Sequence, residues 1–142
     1  MVARGPLLGA FVRASRLHPL SLSLWLATLR RAAGARLLLL QDSAASRLSI
    51  AREAATAGVD VRRLGFVGFA AKEQHVTRHA LLSLVLDTSP LYAAHTTAAD
   101  ALRQGVPLLP LPGPSFASRV SAGSVATAGT NPTPTPTPNP TP

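Results

Sequence analysis

The sequence predicts an α/β domain built on a parallel sheet, and three observations point there. Four short apolar runs, "RLLLL" (36–40), "LGFVGF" (64–69), "LVLDT" (84–88) and "VPLLPL" (106–111), are continuous rather than alternating, as strands covered on both faces require. Between them lie segments whose apolar residues recur at helical spacing. Ala and Leu dominate while aromatics make up only 4% of the chain, which argues against a β-sandwich. Strands alternating with helices imply parallel pairing, and in such sheets ligands bind beyond the carboxyl ends of the strands.

Taken in order, Leu22, Trp25, Leu26 and Leu29 follow Pro19 at helical spacing and predict a helix over about 20–33, stopped by Gly34. The strand 36–40 comes next, then a helix over 44–57 with Gly58 at its C-terminal stop. After the strand 64–69, residues 72–82 read as a helix that leads into the strand 84–88, which ends on Asp87 and Thr88. A helix over 96–104 closes at Gly105, the strand 106–111 follows, and "PSFASRVSA" (114–122) begins the last helix. Residues 131–142, "NPTPTPTPNPTP", place Pro at every second position, which removes donors and fixes φ, so a disordered, extended tail is expected. The domain is therefore expected over 11–122, between an N-terminal extension (1–10) and a low-complexity Pro/Thr tail (123–142).

With 142 residues the chain has room for one domain. It has no Cys, which removes disulfides, thiolate nucleophiles and Cys-based metal sites. The net charge of +8 comes from Arg far more than Lys, Lys72 being the single Lys. The arginines are scattered and no aromatic ladder accompanies them, so nucleic acid is not the expected partner. No apolar run is long enough to cross a bilayer, and no membrane partner is expected. The start of the chain carries Arg4, Arg13 and Arg16 and no acid before Asp42, a pattern that overlaps with organellar transit peptides. GxSxG, GxxxxGK[ST] and GxGxxG are all missing, and the four His residues lack metal-site companions.

Three polar clusters fall at strand ends. In "AAKEQHVTRHA", Lys72, His75 and Arg78 recur every three residues and share a helix face. They suit a nucleotide base and its phosphates; spacing alone equally describes a solvated helix face. In "AAHTTAADALRQG", His95, Thr96 and Thr97 open a helix whose N–H groups attract anions, and Asp100 one turn on can accept from ribose hydroxyls. The alternative is a capping arrangement, with Thr97 as the cap and Asp100 three residues later. In "LPGPSFASRV", Gly113 permits a tight turn, Ser115 can cap, and Arg119 can point at a ligand or at an acidic neighbour; a structural role is expected of the set.

Together, "FAAKEQHVTRHALLSLVLDT" followed by "HTTAADALRQGVPLLPLPGPSFASRV" resembles the C-terminal catalytic region of the protein O-GlcNAc transferase family, which includes related protein O-fucosyltransferases. The likeness rests on Lys-Glu-x-His-Val, a Leu-Asp-Thr strand end, His-Thr-Thr with Asp three residues after the second Thr, and Pro-Gly-x-x-x-Ala-Ser-Arg-Val; it runs over about 11–122. It implies the Rossmann-like C-terminal lobe of a two-lobed GT-B glycosyltransferase, using UDP-GlcNAc or a related nucleotide sugar and transferring to Ser or Thr hydroxyls of proteins. By that resemblance Lys72, His75 and Arg78 contact the uracil, His95, Thr96 and Thr97 hold the diphosphate, and Asp100 binds the ribose. Neither a metal nor a further cofactor is implied, and the compartment is cytoplasmic or nuclear. The sequence also departs from the pattern. Arg16 stands where the family has a Lys that grips the diphosphate, Arg13 where a Gln is usual, and Ala93–Ala94 where Asn-Gly precedes the His. Helical repeats and a first lobe are not in the sequence, which leads to the expectation of a fragment or degenerate copy. A non-catalytic module that binds a nucleotide or a partner is the alternative.

Overall fold

The computed structural model describes residues 5–88 and 93–129. Its strands are β1 (Leu7–Ala10), β2 (Arg36–Leu40), β3 (Leu64–Val67), β4 (Leu84–Leu86) and β5 (Leu108–Leu109). Its helices are α1 (Pro19–Arg31), α2 (Ala44–Thr56), α3 (Lys72–Arg78), α4 (Thr96–Arg103) and α5 (Phe116–Thr127). All strand pairs are parallel and the sheet runs β3-β2-β1-β4-β5. The order reverses between β1 and β4, so a crevice opens at the carboxyl ends of these two strands.

The side-chain period of two divides "RLLLL" between the two faces of the sheet. Leu37 and Leu39, with Leu8, Ala10, Leu64 and Leu86, pack under α1 and α2 through Leu22, Trp25, Leu26, Leu29, Ile50 and Ala54. Leu40, with Phe11, Val85 and Leu108, packs under α4 and α5 through Ala98, Ala101 and Val125; Leu38 and Val67 join that face at its edge. A fully buried leucine such as Leu29 or Leu37 contributes about 1.5–3 kcal/mol. Among the described residues no helix is long and apolar enough to cross a membrane.

Local chemistry sets the helix ends. His18 Nδ1 accepts from the Leu20 N–H at 3.1 Å and Pro19 opens α1. At the other end Arg63 donates to the carbonyls of Leu29, Ala32 and Ala35 at 2.7–2.8 Å, satisfying acceptors that the end of a helix leaves over. Gly34, Gly58 and Gly105 follow α1, α2 and α4 with φ between 69° and 79°, the left-handed conformation that stops a helix.

Several boundaries differ from the sequence reading. Leu7–Ala10, expected in an extension, form β1, which lies between β2 and β4 in the middle of the sheet. The strand is short and interrupted by Gly9, a poor strand former, so its signal is faint. Gly9 is there because a Cβ at that position would run into the Leu82 side chain. The helix expected over 72–82 is α-helical only to Arg78 and tightens into a 3₁₀ turn at His79–Leu81. The strand expected over 106–111 reduces to Leu108–Leu109, because Pro107 and Pro110 on either side carry no N–H for a ladder. The last helix continues to Thr127, so residues 123–127, expected in the tail, are its final turns. Residues 131–142 and 89–92 lie outside the described residues.

Candidate functional site

The loop after β1 begins with Phe11, 7% exposed, and continues through Arg13 into a 3₁₀ turn at Ala14–Arg16. Asp42, just past β2, holds this turn by accepting from the Ala14 N–H at 2.8 Å and the Ser46 hydroxyl at 2.6 Å. The Ser46 bond first, then that of Ala14, keeps the Asp42 carboxyl below its usual pKa. Arg13 lies over the Phe69 ring, 5.0 Å from its centroid, and Arg16 is exposed on the turn.

The helix α3, which follows β3, brings two predicted residues to Phe11. The Arg78 guanidinium sits 4.3 Å from the Phe11 centroid, and the His75 ring meets it edge-on at 5.5 Å. Arg78 also donates to the Gly68 carbonyl at 2.9 Å and bonds His75 Nδ1. Burial first, then the charge of Arg78, lowers the His75 pKa, so the ring is neutral at pH 7. With Nδ1 accepting from the guanidinium, its proton is on Nε2, which becomes a donor. Behind them His79 is fully buried against Phe11 and His75, at 4.9 Å from each, and its Nδ1 bonds the His75 carbonyl at 2.7 Å. Burial is the main cause of its lowered pKa. Lys72, the first residue of α3, is exposed and does not join the stack.

Beyond β4 the helix α4 starts at Thr96, with His95 in the cap position. Thr97 is therefore not the cap: it lies inside the first turn, and no described side chain caps this helix. An N-terminus without a side-chain cap leaves its N–H groups for another acceptor. His95 is exposed, its Nε2 3.4 Å from the Ala117 carbonyl. Asp100 is 8% exposed on the inward face of α4, near enough for its charge to favour protonation of both His75 and His79.

The third cluster has the structural role expected of it. Ser115 caps α5 by accepting from the Ser118 N–H at 3.2 Å, and Arg119 donates to the Pro114 carbonyl. Among the described residues no three His, Asp or Glu side chains form a metal-ligand set. A groove of about 650 Å³ between α1 and α2 is lined by none of the predicted site residues. The predicted chemistry instead gathers on the open end of the sheet. Sequence reasoning passed over Phe11 and His79 in this assembly; Phe11 had a signal, as one of only four Phe residues, placed just ahead of the basic loop.

The family model described as "Glycosyl transferase family 41" matches residues 7–133. The chain belongs to glycosyl transferase family 41. An Arabidopsis thaliana protein named "Probable UDP-N-acetylglucosamine--peptide N-acetylglucosaminyltransferase SEC" is 36% identical over 113 residues, which are 80% of this chain and 11% of that protein. The Caenorhabditis elegans UDP-N-acetylglucosamine--peptide N-acetylglucosaminyltransferase is 34% identical over 114 residues, 80% of this chain and 10% of its own. The family 41 chain thus spans about a tenth of these curated relatives. A mutant O-GlcNAc transferase of Thermobaculum terrenum superposes with a TM-score of 0.83 at 29% identity, over 88% of this chain and 24% of its own. Anabaena HepE, solved in complex with UDP and glucose, shares the fold at 19% identity with a TM-score of 0.58, over 89% of this chain and 39% of its own. The family 41 domain accordingly has the α/β fold of its GT-B glycosyltransferase neighbours.

Proposed function

We propose that this family 41 domain binds the nucleotide-sugar donor, UDP-N-acetylglucosamine, in a transferase that passes the sugar to a Ser or Thr hydroxyl of a protein. The reading is supported by the Phe11–His75–Arg78 stack and the uncapped start of α4, which follow strands of one parallel sheet and so belong to its carboxyl end. The neutral His75 offers an Nε2–H and Arg78 a fixed guanidinium edge, which suit the carbonyl oxygens of uracil. His95, Thr96 and Thr97 at the start of α4 suit a diphosphate, since backbone N–H groups, hydroxyls and the helix dipole all favour negative charge there. Asp100 supplies the acceptor for ribose hydroxyls. Lys72, exposed at the start of α3, and Arg16, exposed on the turn after β1, supply cations to offset charge that develops on the UDP leaving group as the glycosidic bond breaks. Arg16 keeps the charge of a Lys at that place and adds a planar fork able to take two phosphate oxygens.

Calorimetric titration of the folded chain with UDP, UDP-N-acetylglucosamine and GDP-fucose tests this. UDP is expected to bind in the micromolar range or weaker, about −8 kcal/mol at most. Thr97→Ala and Asp100→Ala are each expected to weaken it. A folded sample that binds no nucleotide refutes the site.

A further inference from the structure

Asp87 closes β4 and is 1% exposed, so its carboxylate depends on the protein for solvation. One oxygen accepts from the N–H groups of Thr88 and Ala94, both at 2.7 Å, and the other from the hydroxyl of Ser121 in α5. The Leu111 backbone in the β5–α5 loop also favours the charged form of this carboxyl. Ser121 is itself fully buried. One side chain thus ties together the end of β4, the residue just ahead of His95, the following loop and α5. The neighbouring Ala93 N–H donates to the Ala117 carbonyl at 3.0 Å, a second tie from the same stretch to α5.

The stretch needs such ties. A helix cap usually sits in the extended region and locks itself with its own side chain. His95 does neither: its φ and ψ are −100° and −84°, and it makes no capping bond. The direction in which α4 presents its first N–H groups is therefore set by whatever holds residues 93–95. We infer that Asp87, braced by Ser121, is the positioning residue that orients the start of α4 toward the diphosphate. This rests on the donor reading above for what is bound, and on the hydrogen bonds alone for what is held.

The test is Asp87→Asn in the full chain, with Ser121→Ala as the milder variant that removes a single donor and leaves the carboxylate in place. Amide hydrogen exchange at residues 93–97 is read beside the melting temperature, and UDP is titrated beside uridine, which lacks the diphosphate. Exchange at Ala94 is expected to rise by about tenfold or more beyond any global change, the loss of one charge-assisted bond. UDP affinity is expected to fall about tenfold while that of uridine holds. The double variant is expected to bind UDP no worse than Asp87→Asn, since the two side chains act as one unit. A role in stability alone lowers the melting temperature and weakens UDP and uridine equally, and that result overturns the inference. So does unchanged exchange at 93–97 in either folded variant. A folded wild type that binds no UDP, with exchange at Ala94 still raised by Asp87→Asn, refutes the donor reading and supports the hold on α4.

Discussion

Replacing Phe11 with Leu tests whether its ring is a platform or merely filler. Leu keeps an apolar side chain of nearly the same bulk but removes the face over which Arg78 sits at 4.3 Å and the edges met by His75 and His79. A partly desolvated cation–π contact is worth about 1 kcal/mol. Each edge-to-face contact adds about 0.5–1.5 kcal/mol. Because the two imidazoles also lean on each other, the contributions overlap, and a total of about 2–3 kcal/mol is expected. For a domain of this size that lowers the melting temperature by about 8–12 °C. If the ring positions His75 and Arg78 for a base, UDP affinity measured on the folded fraction also falls, by about tenfold. Phe66→Leu is the control: its ring lies beside Arg47, 5.4 Å away, and packs under α1 and α2, so stability falls and UDP affinity does not. Equal UDP affinity in wild type and Phe11→Leu, with only the melting temperature reduced, refutes the platform.

Two neighbouring arginines are expected to behave differently. Arg63→Ala removes three bonds, to the carbonyls of Leu29 and Ala32 at the end of α1 and of Ala35 just ahead of β2, and is expected to cost about 2–4 kcal/mol, seen as a lower denaturation midpoint. Arg62→Ala breaks only an exposed pair with Asp60, whose carboxyl Arg62 holds down to about 2, and is expected to leave the midpoint unmoved; equal effects refute the assignment. Acid is expected to destabilise the domain from about pH 6.5 downward. His75 and His79 have folded pKa values lowered by burial, so the unfolded chain takes up their protons first and stability is complete only above that pH. Asp87, raised by burial, acts in the opposite sense between its folded pKa and that of a free carboxyl, while Asp42 and Asp60, held low, add to the loss at more acid pH. A melting temperature that is flat between pH 7 and 5 refutes this account of the histidines.

How much of the molecule was legible in the sequence depended on whether the signal was local. "RLLLL" was read with its true limits because four consecutive leucines after Arg36, closed by Gln41, admit few other structures. The glycines after α1, α2 and α4 were equally plain, since their backbone angles exclude most other residues. The strand β1 was missed because its identity is tertiary: "LLGA" becomes a strand only once β2 and β4 flank it and Leu82 fills the space over Gly9. The site shows the same division. The spacing of His75 and Arg78 placed them on one face, but only packing reveals that the face closes on Phe11. Thr97 looked like a cap because hydroxyls usually serve as caps; the cap lies two residues earlier, at His95. Asp87 read as a strand end, and nothing in its neighbours announces a bond to Ser121, 34 residues away.

The pairing of Leu8 with both Leu37 and Leu84 has a consequence for how the domain comes into being. Strand β1 is the seam between two halves, β2 with β3 and β4 with β5, which share no ladder without it. The second of its ladders joins residues 76 positions apart, a closure that is slow compared with the local pairing of β2 and β3. Until it closes, the edges of β2 and β4 stand open to other chains. Removing Leu7–Ala10 would part the sheet along its midline and open the crevice on which the proposed donor site depends.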